Sequence, residues 1–259
     1  MDLKGEIKEK ATRMGFDLLG VSDIEKVEEL GPLPNRGLKS PSQVMPNAKS
    51  LLVLGIVIWD EAMNLSISNA RPGGVMEAGI YYNMYYEITE TRAWRLIRWL
   101  RDEKGIRAVP THNIHMKPAA MLAGLGFVGR NTQLITEKYG PRVRFVGVLA
   151  DQKITPDEPF GSDLCAEQPL CKEVSLCVKA CPYGAIIEGP SAGVPFGEKV
   201  LFDKCVVSHV SDLVFEKKWE KYLGRISERG ILECTLCSNA CPYGKFVEDE
   251  IIPEKRGIS

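Results

Sequence analysis

The first 164 residues of this 259-residue chain contain no cysteine. No run of 18 or more apolar residues occurs either, so no membrane-spanning helix is expected. The longest candidate, Leu51 to Trp59, has the length of a strand. Neither sign of charge is in excess: 33 Lys and Arg stand against 34 Asp and Glu, a formal net charge of −1. That balance argues against nucleic acid as a partner, although a local basic patch can survive such cancellation. Gly (24) and Pro (16) are too few for a low-complexity chain, and 44% apolar with 26% charged residues suits a folded one. The length allows one large domain or two small ones. Residues 1–8 are charged, lack an apolar segment and carry no twin-arginine pair, so no secretory leader is expected. The expected location is the cytoplasm, where clustered cysteines serve metal or redox chemistry more often than disulfides.

All eight cysteines fall from Cys165 onward. This asymmetry divides the chain into an N-terminal domain over 1–160 and a cysteine-rich domain over 161–259. One group is Cys165, Cys171, Cys177 and Cys181, followed by Pro182. A second is Cys234, Cys237 and Cys241, followed by Pro242, and Cys205 stands between them. Cys181-Pro182-Tyr183-Gly184 is echoed by Cys241-Pro242-Tyr243-Gly244. Bacterial ferredoxins use Cys-x2-Cys-x2-Cys-x3-Cys-Pro, in which the fourth cysteine of each run ligates the other cluster. The second group matches the last three positions of that run. The first matches its end, with three extra residues in each earlier gap. Such lengthening costs only about 1 kcal/mol of closure entropy, so cluster binding survives it. Crossing the fourth ligands puts one [4Fe–4S] cluster on Cys165, Cys171, Cys177 and Cys241, and the other on Cys181, Cys205, Cys234 and Cys237. Two zinc sites of four cysteines each, or disulfides, would use the same count and are the alternatives.

Ahead of the cysteines, helices and strands alternate. Leu3, Ile7, Ala11 and Met14 recur at helical spacing before Gly15, and residues 16–21 read as a strand. The prolines of residues 31–49 mark a loop, and Leu51 to Ile58 reads as a strand buried on both faces. The pattern predicts a long helix over 77–103, a strand over 106–109 and a short helix over 117–125. Residues 133–136 and 143–150 read as a hairpin. The fold class expected is α+β, with a partly antiparallel sheet.

Gly124-Leu125-Gly126-Phe127-Val128-Gly129 fits the dinucleotide-binding fingerprint, which requires a strand before it and a helix after it. Here a helical stretch precedes and a strand-like one follows, so that reading is set aside. The segment from Ala123 through Thr132, with Leu134-Ile135-Thr136, Tyr139-Gly140-Pro141-Arg142-Val143-Arg144 and Asp151, resembles the epoxyqueuosine reductase and reductive dehalogenase superfamily. Residues 15–21, 177–187 and 234–241 resemble further parts of it. The resemblance implies a nitroreductase-like α+β domain joined to a ferredoxin-like domain holding two [4Fe–4S] clusters. It also implies cobalamin, a corrinoid, as the cofactor to which the clusters pass electrons singly. Gly126, Gly129, Asn131 and Thr132 would lie near the corrinoid. Apart from the resemblance, the aromatic set Tyr81, Tyr82, Tyr85 and Tyr86 could line a pocket over a flat cofactor, the alternative being tyrosines on a half-buried helix. An electron-donor protein and a small-molecule substrate are implied partners. The non-catalytic alternative is an electron carrier with two clusters and no corrinoid.

Three departures shape the expectations. The family's proton-donating Asp is matched here by Pro110-Thr111-His112, which makes His112 the candidate proton donor. The family's Asp-Tyr-His becomes Tyr81-Tyr82-Asn83. The chain runs 18 residues past Cys241, short of the family's C-terminal helical-repeat region used for tRNA, so nucleic acid is again not expected. Elsewhere, His115 and His209 read as cap, surface or supporting groups, and Tyr85 and Tyr86 as half-buried helix residues. Arg92, Arg95, Arg98 and Arg101 read as a solvated face that could receive an acidic electron donor.

Overall fold

The computed structural model describes residues 2–58, 61–68, 81–205 and 230–244. In chain order its elements are α1 (Leu3–Arg13), β1 (Leu18–Ser22), α2 (Ile24–Glu29), α3 (Pro41–Val44), β2 (Ser50–Val57), β3 (Leu65–Ser68), β4 (Tyr81–Asn83), α4 (Met84–Lys104), β5 (Ala108–Thr111), α5 (Met116–Leu122), β6 (Phe127–Val128), β7 (Leu134–Ile135), β8 (Val143–Ala150), α6 (Leu164–Glu167), α7 (Leu176–Ala180), α8 (Phe196–Lys199), β9 (Gly230–Leu232) and α9 (Leu236–Asn239). They fall into two compact units that interleave along the chain. One takes residues 1–57, 88–128 and 143–162; the other takes 58–87, 129–142 and 163–259.

The first unit is built on a four-stranded sheet in the order β1-β2-β8-β5, antiparallel throughout. β2 occupies an interior position because every one of its eight residues is buried. Its register sets Leu54 opposite Leu19 on one side and opposite Val146 on the other. Leu51, Leu52, Leu54, Val146 and Leu149 are wholly excluded from solvent. Burial of this kind contributes roughly 1.5–3 kcal/mol per side chain. α1 begins at Asp2, whose carboxylate accepts from the Gly5 backbone N–H at 2.8 Å, and it buries Ile7 and Ala11. α5 lies against β1, β2 and β8. Gly20 permits this approach, because a Cβ there would stand 2.4 Å from the Ala123 carbonyl oxygen.

The second unit carries all the cysteines. β3 pairs antiparallel with β4 and with β9, so that Ser66 faces both Asn83 and Ile231. Asn83 Nδ2 donates to Glu233 Oε1 at 2.5 Å and ties β4 to the segment that leads into Cys234. A small core of Ala185, Ile186 and Val200 packs against Cys177, Cys181, Cys205 and Cys237.

Two expectations are corrected. The long helix begins at Met84, and Tyr81–Asn83 is a strand instead, because its backbone is claimed by β3; residues 77–80 lie outside the described set. β7 and β8 do not form a hairpin. β8 has β2 on one edge and β5 on the other, which uses both of its ladders. The α+β class and the antiparallel pairing stand. Among the described residues no helix is long and apolar enough to cross a membrane.

Candidate functional site

Short elements with polar caps place the cysteines. Asp163 accepts from the Cys165 and Ala166 backbone N–H groups, both at 3.0 Å, and from the Ser191 hydroxyl, so it fixes the start of α6. Cys171 ends the tight turn Pro169–Cys171, and Cys177 lies in α7. Cys181 is the residue that closes α7, and its sulfur accepts from the Ala185 N–H at 3.4 Å. Cys237 lies in α9, and Cys241 follows it, only 7% exposed.

Cys165, Cys171, Cys177 and Cys241 line one concavity of about 320 Å³, counted to its open mouth, together with Arg130, Asn131, Ile135, Ser175, Leu176 and Pro242. Cys234 and Cys237 feel the charges of Cys181 and Cys205. Every one of the eight is a free thiol. Among the described residues no three His, Cys, Asp or Glu side chains converge as ligands of one ion do; the first four ring a space.

Burial is the main cause of a rise in thiol pKa at Cys165, Cys177, Cys234, Cys237 and Cys241. It pushes Cys177 up to about 12, and the neighbouring Cys165, Cys237, Cys171 and Cys241 add to the rise. Cys237 and Cys241 are pushed up to about 11, again chiefly by burial. Thiolates crowded beside one another repel, and burial favours their protonated form unless a cation joins them. A polynuclear iron centre supplies that positive charge, and this donor set suits one.

The glycine turn contributes to the same unit. A Cβ on Gly129 would lie 2.4 Å from Ile135 Cδ1 and 3.2 Å from Cys165 Sγ, so glycine is required for close packing. Asn131 is buried; its Nδ2 donates to the Cys237 carbonyl at 3.4 Å and its Oδ1 accepts from Gln133 N–H at 3.1 Å. Thr132 is buried with φ of 60°, a left-handed conformation for a β-branched residue. Gly126, expected beside them, belongs to the other unit. Tyr81 and Tyr82 are placed by backbone in β4; their side chains and His209 lie outside the described residues. Arg130, Ser175 and Lys199 were not singled out from sequence. Arg130 directly follows Gly129 in the glycine turn, which is the signal that could have found it.

His112 stands just after β5, in the first unit. Its Nε2 is 3.3 Å from Thr89 Oγ1 and 3.8 Å from Glu90 Oε1, and its side chain is 11% exposed. Desolvation lowers its pKa to about 4, against a smaller opposing hydrogen bond with the Phe145 backbone. The ring is therefore neutral at pH 7. In the unfolded chain it titrates at its ordinary value of 6.5, so the stability it lends is present above that pH. That stability is lost as pH falls from 6.5 toward 4. The loss is about 2 kcal/mol by pH 5. Denaturant unfolding of wild type and His112→Gln at pH 7.5 and pH 5 is expected to show the wild-type advantage shrinking by that amount. An advantage that holds steady would mean the ring is charged in the fold. His115 Nε2 lies 3.0 Å from the Gly31 carbonyl oxygen, a bracing contact. Arg92 donates to the Gly15 carbonyl, and Arg101 pairs with Asp102 at 2.7 Å on the exposed surface.

No protein-family model matches the chain. The epoxyqueuosine reductase of Prochlorococcus marinus is 25% identical over 270 residues, covering 95% of this chain and 79% of that protein. The tetrachloroethene reductive dehalogenase of Sulfurospirillum multivorans is 27% identical over 207 residues, covering 78% of this chain and 37% of that one. Over most of its length the chain is similar to members of the epoxyqueuosine reductase and reductive dehalogenase superfamily. Solved structures of the superfamily share its fold. Bacillus subtilis epoxyqueuosine reductase superposes with a TM-score of 0.62 at 20% identity, over 94% of this chain and 65% of that chain. The chain thus spans just under two thirds of that structure. A second epoxyqueuosine reductase structure holds a tRNA stem loop (TM-score 0.61, 20% identity, 94% of this chain and 65% of that one). A reductive dehalogenase structure described for B12-dependent dehalogenation aligns with a TM-score of 0.54 at 19% identity, over 78% of this chain and 28% of that one. The relatives are reductases by name, and one is described for B12-dependent dehalogenation.

Proposed function

We propose that this chain is an iron–sulfur oxidoreductase that moves electrons one at a time through two [4Fe–4S] clusters to a corrinoid-type cofactor, for reduction of a small molecule. In this reading residues 161–259 form the ferredoxin-like cluster domain and residues 1–160 a nitroreductase-like cofactor domain. One cluster is held by Cys165, Cys171, Cys177 and Cys241, and the other by Cys181, Cys205, Cys234 and Cys237. The observation that carries the proposal is the meeting of the first four thiols, drawn from both ends of the cysteine-rich segment, around one cavity. A ring of thiols around a space suits a multi-iron cube better than a single zinc ion.

The corrinoid, when bound, supplies the difficult redox step, and the protein supplies position and electrons. Gly129 and Asn131 are engaged with the cysteines. The residues offered to the corrinoid are Gly126, Gly129, Asn131, Thr132, Tyr81 and Tyr82. His112 is the proposed proton donor; because burial keeps the ring neutral at pH 7, it would first take up a proton from solvent as negative charge develops beside it, and pass that proton to the substrate. The cytoplasm is the proposed location, and a small electron-donor protein the proposed reductant. Nucleic acid returns as a candidate partner, against the charge argument, because a relative is known with a tRNA stem loop.

Anaerobic purification, iron and sulfide analysis and then cobalamin titration followed by visible spectroscopy test the proposal. A brown protein with roughly eight iron and eight sulfide per chain is expected, with a spectral change on adding cobalamin. Clusters without cobalamin binding would leave the electron carrier in its place. A colourless protein with about two zinc and no labile sulfide would replace it with a zinc-stapled one.

A further inference from the structure

The cavity bounded by Cys165, Cys171, Cys177 and Cys241 has cationic side chains set against it. Arg130 lines it, and its backbone N–H bonds to the Cys165 thiol. The guanidinium is held by Glu188, with Nη1 donating to Oε1 at 2.6 Å, and only 11% of the side chain is exposed. Glu188 is itself anchored by Ser175, accepting from its N–H at 3.1 Å and its hydroxyl at 2.9 Å. Arg130 Nε is buried without a hydrogen-bond partner among the described residues. Behind it lies Lys199, 6% exposed, within the field of Cys165, Asp163 and Arg130. Two buried like charges side by side are costly unless negative charge compensates them. Glu188 offsets part of this charge through its pair with Arg130, from a largely exposed position, and Asp163 is engaged by the start of α6 and the Ser191 hydroxyl. The charged residue acting on Cys234 in the other group is Glu233, of opposite sign.

We infer that Arg130, together with Lys199, is the positioning residue that raises the reduction potential of the cluster held by Cys165, Cys171, Cys177 and Cys241, its guanidinium supplying fixed positive charge and its unpartnered Nε–H a hydrogen bond the cluster would accept. This rests on the proposed assignment of those four cysteines to one [4Fe–4S] cluster. Four thiolates give the oxidised cube a net double negative charge, and one-electron reduction adds a third. A fixed cation and a donated hydrogen bond therefore stabilise the reduced form more than the oxidised one, and net charge and hydrogen bonds to sulfur are among the recognised determinants of cluster potential. The guanidinium stays charged at any working pH, so the effect does not depend on pH.

The test is a dithionite redox titration of the anaerobic holoprotein, read by electron paramagnetic resonance, in wild type, Arg130→Gln and Glu188→Gln. Arg130→Gln is expected to make reduction of one cluster about tenfold less favourable, a shift of about 59 mV for one electron, with the other cluster unmoved. Glu188→Gln removes an exposed negative charge from the pair and is expected to shift the same cluster in the opposite direction, so a poorly folding Arg130→Gln does not end the test. Two intact clusters with unchanged potentials in the variants, or a shift of the other cluster, would overturn the inference. Wild-type protein lacking iron and sulfide would overturn the cluster assignment as well, which separates the two failures.

Discussion

Replacement of Cys241 by alanine is expected to abolish the cluster proposed at Cys165, Cys171 and Cys177 and to leave the other proposed cluster intact, with roughly half of the iron and sulfide retained. Cys241 is only four residues beyond Cys237, so chain proximity alone would assign both to one centre. The cavity argues otherwise: Cys241 lines it together with Cys165, Cys171 and Cys177. After burial, the main influence raising its pKa, come the charges of Cys165 and Cys171. The backbone explains the divergence. Cys237 sits inside α9, whereas Cys241 follows it and is turned by Pro242. Quantitative iron and sulfide analysis with electron paramagnetic resonance of the reduced variant checks this. Loss of the signal belonging to Cys181, Cys205, Cys234 and Cys237 would refute the crossed assignment.

The two Cys-Pro-Tyr-Gly copies should respond very differently to the same substitution. Gly244 has φ of +77°, and a Cβ on it would lie 2.3 Å from the Tyr139 carbonyl oxygen. Gly140 meets it reciprocally: at φ +57°, its Cβ would lie 2.1 Å from the Tyr243 carbonyl oxygen. Both obstacles are backbone, so no side chain can swing aside. Arg142 adds a hydrogen bond from Nη1 to the same Tyr243 carbonyl at 3.3 Å. Gly184, the matching residue of the first copy, also has positive φ (+58°) but open space where a Cβ would go. Gly184→Ala is therefore expected to cost about 1–2 kcal/mol, the left-handed penalty alone. Gly244→Ala adds a backbone clash and is expected to cost about 3–5 kcal/mol. Because Gly244 ends the turn after Cys241, that variant should also lose iron from the first cluster. Denaturant unfolding of the two variants, with metal analysis, compares them directly. Equal losses would mean that the Tyr139–Gly140 turn does not brace the Cys241 loop.

Some of the architecture was readable before any coordinates. The unbroken apolar run from Leu51 announced an interior strand, because only a strand covered on both faces tolerates it. Helix before and strand after the glycine turn excluded a dinucleotide fold, and α5 followed by β6 and β7 bears this out. Tyr81–Asn83 misled because aromatic residues ahead of a helical stripe extend its apparent period; the partner strand β3, not the local pattern, decides the backbone there. The hairpin expected over 133–150 failed for a similar reason. Adjacent strand-like runs favour pairing with each other, but β8 gains more from two apolar neighbours inside the sheet.

Cysteine number, spacing and the paired Cys-Pro-Tyr-Gly segments were enough to point to two four-thiol centres, since ligand spacing is a local property written along the chain. The company each thiol keeps is not local. Cys241 reaches a cavity shared with Cys165, 76 residues earlier, and Arg130, from the glycine turn, lines it too. Lys199 and the facing glycine turns at Gly140 and Gly244 come together only once the chain closes these long loops. Closure entropy depends weakly on loop length, so it cannot rank one partner over another; packing and charge in the folded unit make that choice.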